Sequence, residues 1–398
     1  MQSVQRNISR TFQQFFNSEK AGGFLLILCT LIALLVTNSS SGAGYLLLWQ
    51  THVGGLSLEL WVNDALMAIF FLLIGLELER ELYSGELSSV QNALLPLIAA
   101  IGGVAAPALI HYSLNAGTPL QAGIGIPMAT DIAFALGVLA ILGARIPASL
   151  KVFVVAFAVI DDLIAIVIIA VFYTAKLSVA YLAAALAIWA LLGAMNRLFR
   201  VMSLAPYLFG GALMWFFMLK SGVHATIAGV MLAFAIPFSA KAEDDESPSH
   251  RLEQFLHKPV AFIILPIFAL ANTAIVVGTD WVQNLVGTNS IGIMAGLLLG
   301  KPFGVTLLCF AAVAGGLCHL PPDLRWRHII GAGILGGIGF TMSIFITNLA
   351  FSENAAMINA SKMAILIASL TAGTIGFLWL TLFGQLRYEG QPTDVKRS

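Results

Sequence analysis

Apolar runs long enough to cross a membrane recur along the whole 398-residue chain. A helix needs about 20 predominantly apolar residues to traverse the hydrocarbon core. Runs of this kind fall approximately at 22–37, 61–85, 93–115, 119–143, 148–174, 179–198, 204–219, 222–236, 258–276, 289–312, 326–350 and 357–384. The first, seventh and eighth are short. The alternation at every second residue that marks the strands of an outer-membrane barrel is absent. The pattern predicts an all-α polytopic membrane protein of about twelve transmembrane helices in a single domain.

Two of these runs are interrupted in the same manner. The fourth reads GIGIPMATDIAFALGVLAILG, where Pro127 and the glycines before it precede Thr130 and Asp131. The eleventh reads GAGILGGIGFTMSIFITNLA, with a Gly-Gly-Ile-Gly break at 336–339 followed by Thr341 and Ser343. They hold corresponding positions in two three-span groups, approximately 93–174 and 289–384. Such a matched pair points to a transporter binding site built from the broken helices of an inverted repeat. The competing reading is that the glycines only let neighbouring helices approach closely. Between the first two spans, residues 45–61 contain a Gly54–Gly55 pair followed by alternating LSLEL, which predicts a β-hairpin at about 45–58, with an irregular loop as the alternative. The stretch KAEDDESPSH (241–250) reads as an acidic, exposed linker.

Charge orients these spans. Sixteen of the 20 Lys and Arg fall on the side of the N-terminus when the loops are followed in order, and only Lys176, Lys220 and Lys362 fall opposite. The positive-inside rule then places both termini in the cytoplasm. The remaining cation, Lys301, lies inside the tenth span. Three acids are equally deep: Asp131 in the fourth span, and the adjacent Asp161 and Asp162 in FAVIDDLIAIVIIA (157–170) of the fifth. Each such charge costs about 2.5–3.5 kcal/mol at a helix centre, so mutual solvation at one shared site is the economical arrangement. A buried Asp–Lys pair that merely fixes helix packing is the rival reading. It leaves two acids unexplained, because one lysine cannot neutralise three carboxylates. The surplus negative charge calls for a cation, protons or both.

Composition narrows the class further. The chain is 59% hydrophobic and 10% charged, against about 25% charged in soluble domains. Its formal net charge of zero gives no footprint for nucleic acid. Cys29, Cys309 and Cys318 are scattered and have no metal-ligand spacing. No G-x-x-x-x-G-K-[ST] loop is present, which disfavours an ATP-driven pump, and nothing calls for a cofactor. No small-residue cleavage site stands out for the first apolar run, which reads as a retained helix.

The segments VNDALMAIFFLLIGLELERE (62–81), PMATDIAFALGVL (127–139), VIDDLIAIVIIAVFYT (159–174), SGVHATIAGV (221–230), LLLGKP (297–302) and GILGGIGFTMSIFI (333–346) together resemble the NhaA-type sodium/proton antiporters over nearly the whole chain. That resemblance implies electrogenic, pH-regulated exchange of Na+ or Li+ for protons across a bacterial inner membrane. It implies that Asp161 and Asp162 bind the ion, that Asp131 and Thr130 stand where unwound chains cross, and that Lys301 pairs with the first acid of the Asp–Asp pair. It links Glu77, Arg80, Glu81, Glu253 and His224 to the pH response, and makes the 45–58 hairpin a homodimer contact. Locally, His224 reads equally as a helix-end histidine satisfied by nearby hydrogen bonds. Glu79 adds an acid to the Glu77 cluster, and Gln254 beside Glu253 cannot titrate. The alternative function is a sodium-coupled symporter of an organic anion built on related broken helices.

Overall fold

The computed structural model describes residues 21–173, 177–239, 247–279 and 281–384. The chain ends and most of the acidic linker at 241–250 lie outside the described residues. The elements are α1 (Ala21–Thr37), α2 (Gly42–Gln50), β1 (His52–Val53), β2 (Leu56–Ser57), α3 (Leu58–Tyr83), α4 (Val90–Asn115), a 3₁₀ segment (Pro119–Met128), α5 (Ile132–Leu142), α6 (Ala148–Phe172), α7 (Val179–Arg197), α8 (Leu204–Ser221), α9 (Ile227–Ala233), α10 (Pro248–Asn272), α11 (Thr288–Ala314), α12 (Trp326–Gly336), α13 (Phe340–Ala350) and α14 (Ala355–Phe383). Nine helices among the described residues are long and apolar enough to cross a membrane. Two bent pairs, α1–α2 at 114° and α12–α13 at 44°, bring the total to eleven. The segment expected as the eighth span, 222–236, holds only the seven-residue α9. Gly222, in the left-handed region at φ 85°, stops α8, and the turns that follow use up the length. Large apolar side chains such as Phe24, Leu35, Phe209 and Leu382 point outward, as lipid solvation of the surface requires.

The helices form two groups. α4, the 3₁₀ segment, α5, α6, α11, α12, α13 and α14 pack on one another, while α3 packs with α9 and α10, and α7 with α8 and α8 with α9. Between the groups, α3 meets α6 and α10 meets α13. The first group is tightly closed at one crossing. A Cβ on Gly102 of α4 would lie 2.2 Å from the Gly304 carbonyl of α11, and one on Gly304 would lie 2.1 Å from the Gly102 carbonyl. Only glycine at both positions permits that approach.

At one end of the molecule β1 and β2 pair antiparallel, His52 with Ser57 and Val53 with Leu56. Gly54 (φ 62°) and Gly55 (φ 89°) make the turn, which needs positive φ at both positions. The residues before it, from Gly42 to Gln50, are helical rather than extended. The opposite end carries Arg80 near the close of α3.

Candidate cation site

Both interrupted spans are broken in the structure. Met128 ends the 3₁₀ half, Ala129 and Asp131 are extended, and α5 begins at Ile132. The other chain leaves helix after Gly336 and resumes at Phe340. The breaks cross and bond directly: the Asp131 N–H donates to the Ile338 carbonyl at 2.6 Å. The freed half-helix ends are then satisfied reciprocally. Thr130 Oγ1 donates to the Gly336 carbonyl at 2.9 Å, and Ser343 Oγ donates to the Ile126 carbonyl at 2.7 Å. Each hydroxyl just past one break thus covers a carbonyl of the other broken span. With no water in the membrane core, such partners are obligatory.

Asp131 caps two helices at once. Its Oδ1 accepts the Phe134 N–H of α5 at 3.1 Å, and its Oδ2 accepts both the N–H (3.0 Å) and the hydroxyl of Thr341 in α13. Ser369 of α14 accepts the Phe340 N–H at 3.1 Å. Each helix N-terminus carries roughly half a positive charge, so the two ends offset about one carboxylate. Asp131 is therefore electrostatically compensated.

Lys301 compensates a second acid. It follows a π-type turn at Gly296–Gly300 in α11 and is fully buried. Nζ donates to Asp161 Oδ2 at 2.6 Å and to Thr130 Oγ1 at 2.7 Å, and it lies 5.7 Å from the centre of the Phe157 ring. Thr130 is thereby committed twice, accepting from Lys301 and donating to Gly336. Asp161 Oδ1 is buried with no hydrogen-bond partner among the described residues.

Asp162 has no such support. It is 1% exposed, and its Oδ1 likewise has no hydrogen-bond partner. Successive residues on α6 diverge by about 100°, and Lys301 bonds Asp161 rather than Asp162. With Asp131 it lines a cavity of about 50 Å³ between the two helix groups, walled also by Phe70, Ile74, Glu77, His257, Thr341 and others. That volume holds roughly three or four waters. Hence α6 and the crossing present three acids, of which Lys301 bonds one, the helix ends cap another, and Asp162 faces the cavity with no salt bridge among the described residues.

The cavity leads toward the Arg80 end, where the other expected residues gather. Arg80 lies 3.2 Å from Glu253 and 3.3 Å from Glu81, while His257 lies 3.6 Å from both Glu77 and Glu253. Ser249 donates to the buried Glu79 at 3.2 Å. His224 does not join them. It sits ahead of α9 toward the hairpin end, its Nε2 2.8 Å from the Tyr173 carbonyl that follows α6. His257 was missed in the sequence, although its spacing of four from Glu253 on an amphipathic helix signalled it. Thr341 and Ser343 were visible as hydroxyls past a break, but their partners were not.

The chain matches the family model described as Na+/H+ antiporter 1 over residues 13–380. It is 69% identical to the Na(+)/H(+) antiporter NhaA of Dechloromonas aromatica, covering 97% of this chain and 99% of that protein. It is 58% identical to the NhaA of Cytophaga hutchinsonii (94% and 96% covered) and 47% identical to that of Salmonella arizonae (92% and 97% covered). A polytopic helical protein with these matches over nearly its whole length belongs to the NhaA family of Na+/H+ antiporters.

Proposed function

We propose that the protein extrudes Na+ or Li+ in exchange for protons by competition at Asp162, assisted by Asp161. One observation carries this reading: Asp162 is a buried carboxylate that faces the cavity with neither a salt bridge nor a hydrogen bond to its Oδ1 among the described residues. A desolvated carboxylate in that position needs a proton or a cation. Hard oxygen ligands suit an alkali ion, and a cavity of about 50 Å³ suits a small one. Proton and ion want the same oxygens, so each excludes the other. Alternating exposure of one competitive site is already antiport.

On this reading the Arg80 end and both termini face the cytoplasm of a bacterial inner membrane. The chain from the cavity through Glu77 and His257 to Glu253 and Arg80 is the route by which cytoplasmic pH acts on the site. The two groups of spans, 93–174 and 289–384, form inverted repeats, a reading supported by the reciprocal caps of Thr130 and Ser343. Two copies associate through the hairpin. The test is purified protein in liposomes with an imposed pH gradient. Added Na+ should collapse the gradient with no organic solute present. A strict requirement for an organic anion would replace antiport with symport.

A further inference from the structure

The seam between the two helix groups is open at one end and shut at the other. Along α13, Thr341 and Met342 line the cavity, Phe345 follows one turn on, and Asn348 one turn beyond that. Along α3, Glu77, Ile74, Phe71, Met67 and Asn63 recur at helical spacing in the reverse order. The facing pairs meet in two layers. Phe71 and Phe345, both buried, have ring centres 5.7 Å apart. Past them, Asn348 Nδ2 donates to Asn272 Oδ1 at the end of α10, and Asn272 Nδ2 donates to Asn63 Oδ1 at 2.8 Å. Asn348 stands about 10 Å along the axis from Thr341, between the cavity and the hairpin end. The His224 bond to the Tyr173 carbonyl spans the same seam.

We propose that the Asn348–Asn272 hydrogen bond is the latch of the gate on the hairpin side, parting when the cation site turns toward that face. It rests on the antiport reading for the identity of the cargo, but not for its geometry. Amides suit such a latch because water can replace each bond they lose on parting. A leucine seam would be costly to wet. Asn348 Oδ1 strengthens the case: it is buried in the closed seam with no hydrogen-bond partner among the described residues and would gain one from water on opening. The closed and open seams are thereby held near balance, as an exchanger that must visit both requires. Asn63–Asn272 lies within one helix group and only positions the latch.

Opposite-signed variants test this. Asn272→Ala leaves the Asn348 amide without its partner in the closed seam and should favour opening. Asn272→Leu combined with Asn348→Leu makes the seam apolar and should hold it shut. The probe is Met67→Cys, buried between the two layers, in a chain whose three native cysteines are replaced by alanine. Its labelling by a membrane-impermeant maleimide is followed from the hairpin face in oriented vesicles, without Na+ exchange. Labelling should rise about five-fold for Asn272→Ala, the equivalent of one hydrogen bond, and fall for the double leucine variant. Unchanged rates, or a shift of the same sign in both, would overturn the latch. If Asn272→Ala is not recovered in membranes, Asn272→Ser takes its place with the same expected sign. Because the readout needs no transport, failure here is separate from failure of the antiport reading.

Discussion

Lys301 offers a test in which the size of the effect follows from the geometry. Its ammonium is fully buried and holds Asp161 at 2.6 Å and Thr130 at 2.7 Å. Lys301→Met keeps the length of the side chain and removes the charge. Asp161 would then lose its salt bridge, and its Oδ1 has no hydrogen-bond partner among the described residues to offset the loss. Breaking one side of a buried pair costs about 3–5 kcal/mol, because the remaining charge is left desolvated and alone. Asp161→Asn alone leaves the ammonium in the same position and should cost a similar amount. The double variant contains no charge to strand, so it should lose about 3 kcal/mol less than the sum of the singles. Apparent stability in mild detergent, followed through a denaturing-detergent titration, reads all four corners of the cycle. Losses that add to within about 0.5 kcal/mol would refute direct pairing.

Asp131→Ala removes the caps of both α5 and α13 and should cost about 2 kcal/mol at roughly 1 kcal/mol per cap; Asp131→Asn, which keeps one accepting oxygen, should cost less in the same titration. Deleting residues 51–57 should convert a dimer to a monomer in light-scattering measurements while exchange persists, since the carboxylates and Lys301 lie within one chain. If each Na+ displaces two protons, either from both acids or from Asp162 and Lys301, exchange in liposomes should speed up under a K+/valinomycin clamp at zero potential. Indifference to the clamp would mean one-for-one exchange.

Much of the site could be read from charge alone. Asp131, Asp161, Asp162 and Lys301 stood out because each interrupts an apolar run, and the cost of that placement implied a common locus. The structure brings them there. What charge could not reveal was the division of labour. Asp131 looked like surplus negative charge until its two capped N-termini were visible, and those belong to segments over 200 residues apart in the chain. Thr130 was placed at the crossing through resemblance alone, and its two partners there, Lys301 and the Gly336 carbonyl, were not legible in the sequence. His224 was linked to the pH response through resemblance alone, and the sequence did not show that it lies ahead of α9, toward the end opposite Glu77 and Glu253. The eighth span is short: its helix has only seven residues, yet it carries the chain from His224 at the hairpin end to Pro237, whose carbonyl accepts the Ser249 N–H beside Glu79. Asn348 drew no notice because a single amide near a helix end is ordinary until its partner across a seam is known.

The account stands most directly on Asp162. Asp162→Asn removes the uncompensated charge while leaving Lys301–Asp161 and both Asp131 caps in place, so the protein should insert and keep its stability in detergent. In liposomes with a pH gradient, Na+ should then drive no proton movement, and Na+ added to the purified variant should release fewer protons than from the parent. Parental exchange and parental proton release by Asp162→Asn would contradict the account and place the cation site elsewhere.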